Sequence, residues 1–317
     1  MNQPIVKIQR LKEGPPAGFT SPTALPTDDS QNLDWQQQNK DWWQKHSMRY
    51  DFTTPIPYEE FTAAFYDEID RRFFENASHY LPPRQIPFDR LIDFASLRNS
   101  DVLEIGCGNG SHAQLLAARA KSYTGIDLTD YAVKSTSTRL ALRRLPGTVL
   151  QMDAEAMRFP DNSFDYIWTW GVIHHSANTA RILEEMHRVL RPSGRAQVMV
   201  YYRSLWNFYV FGALVSVLNG KFPTRRAINT SRQLAEDGAL TRYYRPREWR
   251  RMVGGNFTVN SIRVYGQKEC LVLLPAGRLK RTLLGLLPDS MARFLTGTCR
   301  MGGFLVVDME KKSSAHD

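Results

Sequence analysis

The residues best suited to chemistry form a glycine-rich turn, EIGCGNG, at positions 104–110 of the 317-residue chain. An apolar run precedes this turn and a helical pattern follows it. Glycines at this spacing let the backbone turn tightly and approach a ligand, which the first N–H groups of the helix then face. Ser111 stands where a dinucleotide-binding fingerprint has its third glycine, so the pattern disfavours a nicotinamide or flavin cofactor.

Two acidic residues are placed to recognise a nucleoside. Asp127 ends the next apolar run, 21 residues after Gly106, where doubly wound proteins place an acid that accepts from both ribose hydroxyls. Asp153 ends the following run, and a carboxylate there can accept from an exocyclic amino group such as adenine N6. Each acid could instead cap a helix or stabilise a turn, and beside Asp127 either Thr129 or Asp130 could supply the cap.

Candidate proton-transfer groups follow the fourth and fifth apolar runs. The pair His174 and His175 comes after the fourth run, and Tyr201, Tyr202 and Arg203 end the fifth. Imidazole titrates near neutral pH, so one histidine could act as a general base while the other bonds loop carbonyls. Tyr202 and Arg203 could meet an acidic group on a substrate.

Short apolar runs alternating with helical patterns must position these residues. This alternation predicts βαβ units on a parallel sheet. The predicted strands are 101–106, 122–127, 148–153, 164–171 and 194–202. The predicted helices between them are 111–120, 130–143 and 178–190. A helix at 245–255 and strands at 257–266 and 302–310 are predicted to complete the sheet.

The N-terminal third has a different character. Residues 1–34 are rich in proline and predict a mobile tail. Residues 35–83 hold two predicted amphipathic helices, at 34–46 and 59–81. The regular core then begins and extends over residues 84–202.

Two long insertions interrupt the second part of the core, at 203–244 and 271–299, within a core completion that spans 245–310. Both exceed the usual connection between a strand and a helix. Residues 204–220 contain no charge but are too short to span a bilayer, which predicts a buried or membrane-surface helix. Residues 311–317 are predicted to form a second tail.

The chain has 41 basic and 32 acidic residues, a net charge of +9 at pH 7. The excess belongs to residues 201–317, which hold 19 basic and 8 acidic side chains. Such a region could bind nucleic acid, an anionic membrane or an acidic substrate, or form a solvated face.

The three cysteines are too few and too scattered for a disulfide framework or a four-ligand zinc site, and no metal site is expected. The first residues have no apolar signal segment, so a cytoplasmic location is expected.

Five pieces of the sequence resemble class I S-adenosylmethionine-dependent methyltransferases of the small-molecule type, with a UbiE-like (methyltransferase-11) core. In the order and spacing of that family they are VLEIGCGNG (102–110), GIDLT (125–129), DAEAMRFPDNSFD (153–165), GVIHH (171–175) and LRPSGRAQVMVY (190–201). The resemblance implies an α/β fold, namely a Rossmann-like, doubly wound, seven-stranded sheet with a reversed last strand. It also implies N-terminal lid helices and two cap insertions.

The resemblance assigns a site for S-adenosyl-L-methionine. The glycine-rich turn would shape the methionine pocket, and the two acids would hold the ribose and the adenine edge. Leu128 and Ala154 would flank the adenine, Trp170 would lie near the sulfonium, and the lid with Trp43 would cover cofactor and substrate. The cofactor residues so assigned are Tyr50, Glu104, Gly106, Gly108, Asn109, Gly110, Asp127, Leu128, Asp153, Ala154 and Trp170.

The same resemblance predicts an enzyme that methylates an oxygen, nitrogen or carbon atom, with His174, His175 and Tyr202 as candidate catalytic residues. The apolar insertions favour a small hydrophobic acceptor, lipid-like, terpenoid or polyketide, and a cap over the methyl group. They are equally compatible with peripheral membrane contact, with simple packing on the core, or with a homodimer face.

Other functions stay open at this point. A methyltransferase acting on RNA or protein would use the basic last third. However, GVIHH stands where amino-methylating DNA enzymes carry an asparagine/aspartate-Pro-Pro-aromatic tetrapeptide, and no RNA-binding module is evident, so no nucleic-acid partner is expected. A non-catalytic S-adenosylmethionine-binding module is disfavoured because the glycine turn and both acids are intact.

Overall fold

A computed structural model of the protein describes residues 14–52, 54–274 and 277–312. Its centre is one sheet of eight strands. In chain order these are β1 (Asp101–Ile105), β2 (Ser122–Asp127), β3 (Thr148–Gln151), β4 (Phe164–Trp170), β5 (Leu190–Tyr202), β6 (Tyr243–Tyr244), β7 (Phe257–Tyr265) and β8 (Phe304–Lys311).

The described residues form ten α-helices around this sheet. They are α1 (Asp29–Lys45), α2 (Ala63–Tyr80), α3 (Ser111–Ala117), α4 (Asp130–Leu142), α5 (Thr179–Val189), α6 (Phe211–Leu218), α7 (Arg225–Ala235), α8 (Pro246–Val253), α9 (Arg278–Leu286) and α10 (Asp289–Arg293). Polar side chains fix several starts; for example, Asn178 caps α5 by accepting from Ala180 N at 3.1 Å. No helix among the described residues is long and apolar enough to cross a membrane.

The strand order is β3-β2-β1-β4-β5-β8-β7, with β6 paired to the end of β5. Strands β1 to β5 are parallel, whereas β8 lies antiparallel between β5 and β7. The predicted α/β sheet with a reversed last strand is therefore confirmed. The sheet has eight strands rather than the predicted seven because the two-residue β6 adds one.

Apolar residues cover both faces of the sheet. On one face α5 and α8 contribute Met186 and Trp249 to a cluster with Val198 of β5. On the other face α2 contributes Phe73 to a cluster with Trp168 of β4. Because both faces are buried, the central strands are near-continuous apolar runs, as parallel sheets require.

The N-terminal boundary differs from the prediction. Helix α1 begins at Asp29, five residues before the expected start, because Asp28 caps it by accepting from Gln31 N at 2.8 Å. The described part of the expected tail packs on the protein; Phe19 is buried and meets Trp35 edge to face at 5.5 Å. The predicted mobile tail over residues 1–13 and the predicted second tail over residues 313–317 lie outside the described residues.

The first insertion contacts the segment that leads into the second. The first contains a π-helical turn (Leu205–Val210), α6, α7 and β6, and the second contains α9, α10 and a further π-helical turn (Phe294–Thr298). Trp206 Nε1 donates to Cys270 O at 3.0 Å, which joins the first insertion to the segment before the second. Both insertions follow strands whose carboxyl ends lie at the same edge of the sheet, since β7 is parallel to β5.

Candidate active site

The glycine-rich turn leaves β1 in a conformation that side chains disfavour. Gly106, Gly108 and Gly110 have φ angles of +78°, +54° and +78°. A Cβ atom on Gly106 would lie 2.5 Å from Val172 Cγ1, so close packing also requires glycine there. A Cβ atom on Gly108 would meet nothing within 4 Å. Open space therefore lies in front of Gly108.

Asp127 ends β2 and braces this turn. Its carboxylate accepts hydrogen bonds from Gly108 N at 3.1 Å, Thr129 N at 3.0 Å and Thr129 Oγ1 at 2.9 Å. Burial raises the pKa of Asp127, and the hydrogen bonds oppose that rise. Thr129 caps α4, since its side chain accepts from Ala132 N at 3.3 Å. The helix-cap alternative for Asp127 is therefore wrong.

A cleft of about 350 Å³ opens beside the ends of β2 and β3. Asp153 Oδ1 accepts from Glu155 N at 2.8 Å and from Gln36 Nε2 of α1 at 2.9 Å. Gln36 thus donates to this acid as the exocyclic amino group of a base would. Ala154 lies apart from the cleft and packs against the apolar cluster of α5 and α8. The cleft is lined by Lys40, Leu128, Gln151, Met152, Asp153, Ala156 and Arg158.

Glu104 is buried on β1, two residues before Gly106. Tyr123 Oη donates to Glu104 Oε2 at 2.6 Å, and His112 Nδ1 lies 3.9 Å from Glu104 Oε1. Burial raises the pKa of Glu104 to about 8, although the hydrogen bond from Tyr123 lowers it. Burial also lowers the pKa of His112 to about 3. Both side chains are therefore mostly neutral at pH 7.

This environment predicts a pH-dependent stability. Below its ordinary pKa of 4.5 the Glu104 carboxyl is protonated in both the folded and the unfolded protein. As the pH rises from 4.5 through about 8, the carboxyl ionises readily only in the unfolded protein, so the free energy of unfolding falls. Between pH 5 and pH 8 the free energy of unfolding should therefore fall by on the order of 3 kcal/mol more in the wild type than in Glu104→Gln. Urea denaturation at both pH values measures this difference. The exposed Glu184→Gln is the control, and parallel pH profiles for the wild type and Glu104→Gln would contradict the assignment.

Helix α1 lies across the loops that follow β3 and β4. Gln36 Oε1 accepts from Ala177 N at 3.0 Å, Asn39 Nδ2 donates to His175 O, and the Trp43 ring lies 5.1 Å from that of His175. These three side chains recur every three or four residues and so share one helix face. Of these three residues, the sequence predicts only Trp43 as part of the site, although the two amides share its helical spacing.

Asn109 joins the turn to the segment after α1. Its Nδ2 donates to Met48 O at 2.7 Å, and its Oδ1 accepts from Ser135 Oγ at 2.7 Å. Tyr50 follows in that segment with a φ of +56° and stacks on Phe73 at 4.9 Å. Burial raises the pKa of Tyr50 well above its ordinary value. Asn109 therefore ties the glycine turn to the segment that carries Tyr50.

Trp170, at the end of β4, belongs to an aromatic group. It stacks parallel to Trp168 at 5.4 Å and meets Phe88 edge to face at 4.9 Å. The ring of His112, from the helix after the glycine turn, lies 6.0 Å away. Trp170 therefore stands close to the helix that follows the turn, on the α2 side of the sheet.

The two histidines differ in their surroundings. His174 is fully buried, with the rings of Tyr201 and His175 each 4.1 Å from its own. Neither ring nitrogen of His174 has a hydrogen-bond partner among the described residues, and burial holds its pKa well below the ordinary value. His175 Nδ1 lies 2.9 Å from Leu240 O, so this nitrogen carries the proton and donates it. Nε2 is then the basic nitrogen of His175.

Tyr202 does not join the histidines. Successive residues of a strand face opposite sides of the sheet, and the ring that meets His174 is that of Tyr201. Tyr202 lies in the opposite apolar cluster, with Tyr244. Arg203 pairs with Glu248.

The first insertion closes over the histidine loop. Arg242 N donates to His174 O at 2.8 Å, and Thr241 Oγ1 lies 3.3 Å from His175 Nδ1. Gly238 has a φ of +84°, and a Cβ atom there would lie 2.5 Å from His175 Nδ1. The backbone of the insertion therefore packs directly on the imidazole.

Residues 103–198 match a family model described as a methyltransferase domain. The 27-O-demethylrifamycin SV methyltransferase of Amycolatopsis mediterranei is 32% identical over 145 residues, which are 42% of this chain and 53% of that protein. The phthiotriol/phenolphthiotriol dimycocerosates methyltransferase of Mycobacterium tuberculosis is 36% identical over 110 residues, 34% of this chain and 40% of that protein. The matches thus span about half the length of these relatives or less.

Among solved structures, a SAM-dependent methyltransferase from Aquifex aeolicus is similar in fold, with a TM-score of 0.46 and 14% identity. That similarity covers 76% of this chain and 96% of the other.

Proposed function

We propose that this protein transfers a methyl group from S-adenosylmethionine to a small apolar acceptor. Residues 103–198, which match the model of a methyltransferase domain, would carry out this transfer. The observation that carries the proposal is the juxtaposition at one sheet edge of the braced glycine turn, Asp127 and the cleft beside Asp153. The turn would contact the methionine part of the cofactor, Asp127 the ribose, and the cleft the adenine.

The residues present fit this cofactor. The open space in front of Gly108 suits the methionine part, and the buried Glu104 lies beside the turn. Asp127 would accept from the ribose hydroxyls, with Leu128 beside the adenine. Asp153, which already accepts from an amide N–H group, would accept from the adenine amino group. When bound, the cofactor supplies an activated methyl group on a sulfonium.

The protein's part in the transfer is alignment, exclusion of water and removal of a proton from the acceptor. Trp43 from α1 and the first insertion both contact His175, which supports a covered site at this point. We propose His175 Nε2 as the general base, because Leu240 O fixes the proton on Nδ1. Proton removal then leaves an imidazolium whose Nδ1–H still donates to that carbonyl. His174 would be a packing residue.

Replacing each histidine by phenylalanine tests whether His175, and not His174, is the general base. His175→Phe should lower kcat by about 10²- to 10⁴-fold, the usual contribution of a general base. Affinity for S-adenosylhomocysteine should stay within about threefold, a change of less than 1 kcal/mol. The matched control is His174→Phe, which keeps the stacked ring and should retain most activity. Steady-state kinetics and calorimetry check both variants; equal losses in the two would remove His175 as the base.

The function itself is tested with labelled cofactor and cell extract. We expect the methyl label in the organic-soluble fraction, because both insertions are apolar and the two relatives are named for a rifamycin and for phthiotriol dimycocerosates. Label in RNA or protein would redirect the proposal to those acceptors. A thermal shift with NAD and none with S-adenosylhomocysteine would overturn the cofactor assignment.

We further propose that the insertions touch an anionic membrane, from the cytoplasmic side. Leu205, Leu218 and Phe222 of the first insertion are at least 73% exposed, as is Leu286 of the second. Residues 204–235 contain four basic and no acidic side chains, and residues 277–288 contain three basic and none acidic. Exposed apolar side chains among cations suit the surface of an anionic bilayer.

Vesicle flotation tests this contact. The double variant Leu218→Glu/Phe222→Glu should lose most binding to phosphatidylglycerol vesicles, because it adds two charges that such a surface repels. Leu33→Glu changes a side chain of similar exposure on α1 and should bind as the wild type does. If the wild type does not bind vesicles and instead dimerises through this surface, the surface contacts a second copy of the chain and not a membrane.

A further inference from the structure

A second cavity, of about 570 Å³, lies at the β7 edge of the sheet, away from the cleft beside Asp153. Parts of α8, β7 and the segment after α10 form its wall. We call it the arginine pocket. It is lined by Tyr80, Pro246, Arg250, Ile262, Arg263, Val264, Tyr265, Arg293, Thr296, Gly297, Thr298 and Arg300.

The lining is strongly basic. It contains four arginines and no acidic residue. Among the described residues, none of the four forms an ion pair; Arg293 Nη1 donates to the carbonyl of His79 at 3.1 Å. Elsewhere on the same sheet Arg195 of β5 pairs with Asp308 of β8 at 2.7 Å, and nearby Arg203 pairs with Glu248. The absence of a carboxylate is thus a property of this pocket rather than of the region.

The backbone holds this arrangement in place. Phe294–Thr298 is a π-helical turn, a form that often occurs at functional sites. Arg300 has a φ of +55°, in the region that residues other than glycine rarely adopt. A Cβ atom on Gly297 would lie 3.3 Å from Val264 O, so the turn packs closely against β7. The segment that carries Arg293 and Arg300 therefore packs against the strand that carries Arg263.

Like charges gathered in one pocket repel each other, and a bound anion removes that repulsion. The guanidinium group donates two parallel N–H bonds, a geometry that matches phosphate oxygens. Thr298, which also lines the pocket, adds a hydroxyl donor. The lining therefore favours a phosphate group over an uncharged ligand.

The pocket lies near the carboxyl end of β7, and the histidines follow the carboxyl end of β4, which runs in the same direction. Tyr265 of β7 pairs with Phe304 of β8, which pairs with Tyr201 of β5, and the Tyr201 ring contacts His174. Strands in a sheet lie about 4.8 Å apart, so the two steps from Tyr201 to Tyr265 cover about 10 Å. A ligand of moderate length can span that distance.

We propose that the arginine pocket binds a phosphate ester and that the methyl acceptor carries this ester at the end remote from its reacting atom. The assignment of this ester to the methyl acceptor rests on the proposed function. The phosphate can belong to a lipid head group or to the ester of a smaller apolar compound, since the lining recognises the shared phosphate chemistry.

Calorimetry with two probes tests the pocket. The probes are inorganic phosphate and dihexanoyl phosphatidic acid below its micelle concentration, and stronger binding of one identifies the source of the phosphate. Arg250→Gln/Arg263→Gln should weaken binding by about tenfold or more. Arg247→Gln/Arg251→Gln removes the same charge from α8 outside the pocket and should bind within about twofold of the wild type. Equal losses in both variants, or no binding of either probe to the wild type, would overturn the site.

Two further measurements separate this proposal from the proposed function. Each variant should still bind S-adenosylhomocysteine, which shows that it has folded. The labelled product from cell extract should bind to an anion exchanger and elute earlier after phosphatase treatment. A labelled product that is neutral would refute the phosphorylated acceptor while leaving methyl transfer intact, whereas no label at all would count against methyl transfer alone.

Discussion

Gly106→Ala should destabilise the protein by about 2–5 kcal/mol and abolish cofactor binding. The new methyl group would lie 2.5 Å from Val172 Cγ1, and the residue would keep a φ of +78°. A left-handed conformation costs a residue with a side chain about 1–2 kcal/mol, and overpacking costs a further ~1–3 kcal/mol. Relief of the overlap would move the turn away from Asp127. Chemical denaturation and calorimetry with S-adenosylhomocysteine measure the two effects.

Two other glycines provide the comparison. Gly108→Ala has a positive φ but no overlap, so we expect a loss of about 1–2 kcal/mol in stability with a large loss in affinity, because its methyl group occupies the ligand space. Gly255→Ala has neither a positive φ nor an atom within 4 Å and should behave as the wild type. If Gly106→Ala were as stable as Gly255→Ala, the described packing of the turn would be wrong.

The second large effect is expected at Asp127. A carboxylate that accepts from two ribose hydroxyls contributes about 1.5–3 kcal/mol for each bond, so the loss of both in Asp127→Ala should weaken S-adenosylhomocysteine binding by about a hundredfold or more. The substitution also removes the acceptor of Gly108 N, which would loosen the turn itself.

Asp127→Asn separates these two contributions. It keeps the size of the side chain and one acceptor oxygen, so it should bind more tightly than Asp127→Ala and more weakly than the wild type. Asp130→Ala, in the exposed first turn of α4, is the matched control for loss of an acid. A dissociation constant that is unchanged in Asp127→Ala would remove this residue from the site.

The core of the fold follows from local patterns. The runs 101–106 and 122–127 became β1 and β2 within one residue, because each lies between turn signals and a helix start. β3 ends at Gln151 instead of Asp153, so the acid lies in the loop, where the cleft opens. Apolar length and turn chemistry are properties of neighbouring residues, and a single sequence reports them well.

The contacts of α1 depend on distant partners. Gln36 and Asp153 are separated by 117 positions, and Asn39 and His175 by 136. Nothing local distinguishes an amide that contacts a loop from one that faces water. The resemblance implied a lid helix, but not the side chains by which it binds.

Tyr202 illustrates a different limit. The end of β5, VMVYY, is buried on both faces, so it has no alternation that would show which side each residue faces. A shift of one residue moves a side chain to the other face of the sheet. Adjacent tyrosines could therefore not be assigned to the histidine side or to the opposite cluster from the sequence.

The position of β8 between β5 and β7 has a consequence for biosynthesis. Residues 304–311 are translated more than 100 residues after β5, yet they form the partner that β5 needs on that side. While a ribosome is still adding the second insertion, β5 presents an unpaired apolar edge, and β7 has no neighbour to join. The nascent chain can build β1 to β4 early, but the sheet closes only after this strand emerges. Until then the incomplete sheet exposes the kind of strand edge at which chains aggregate.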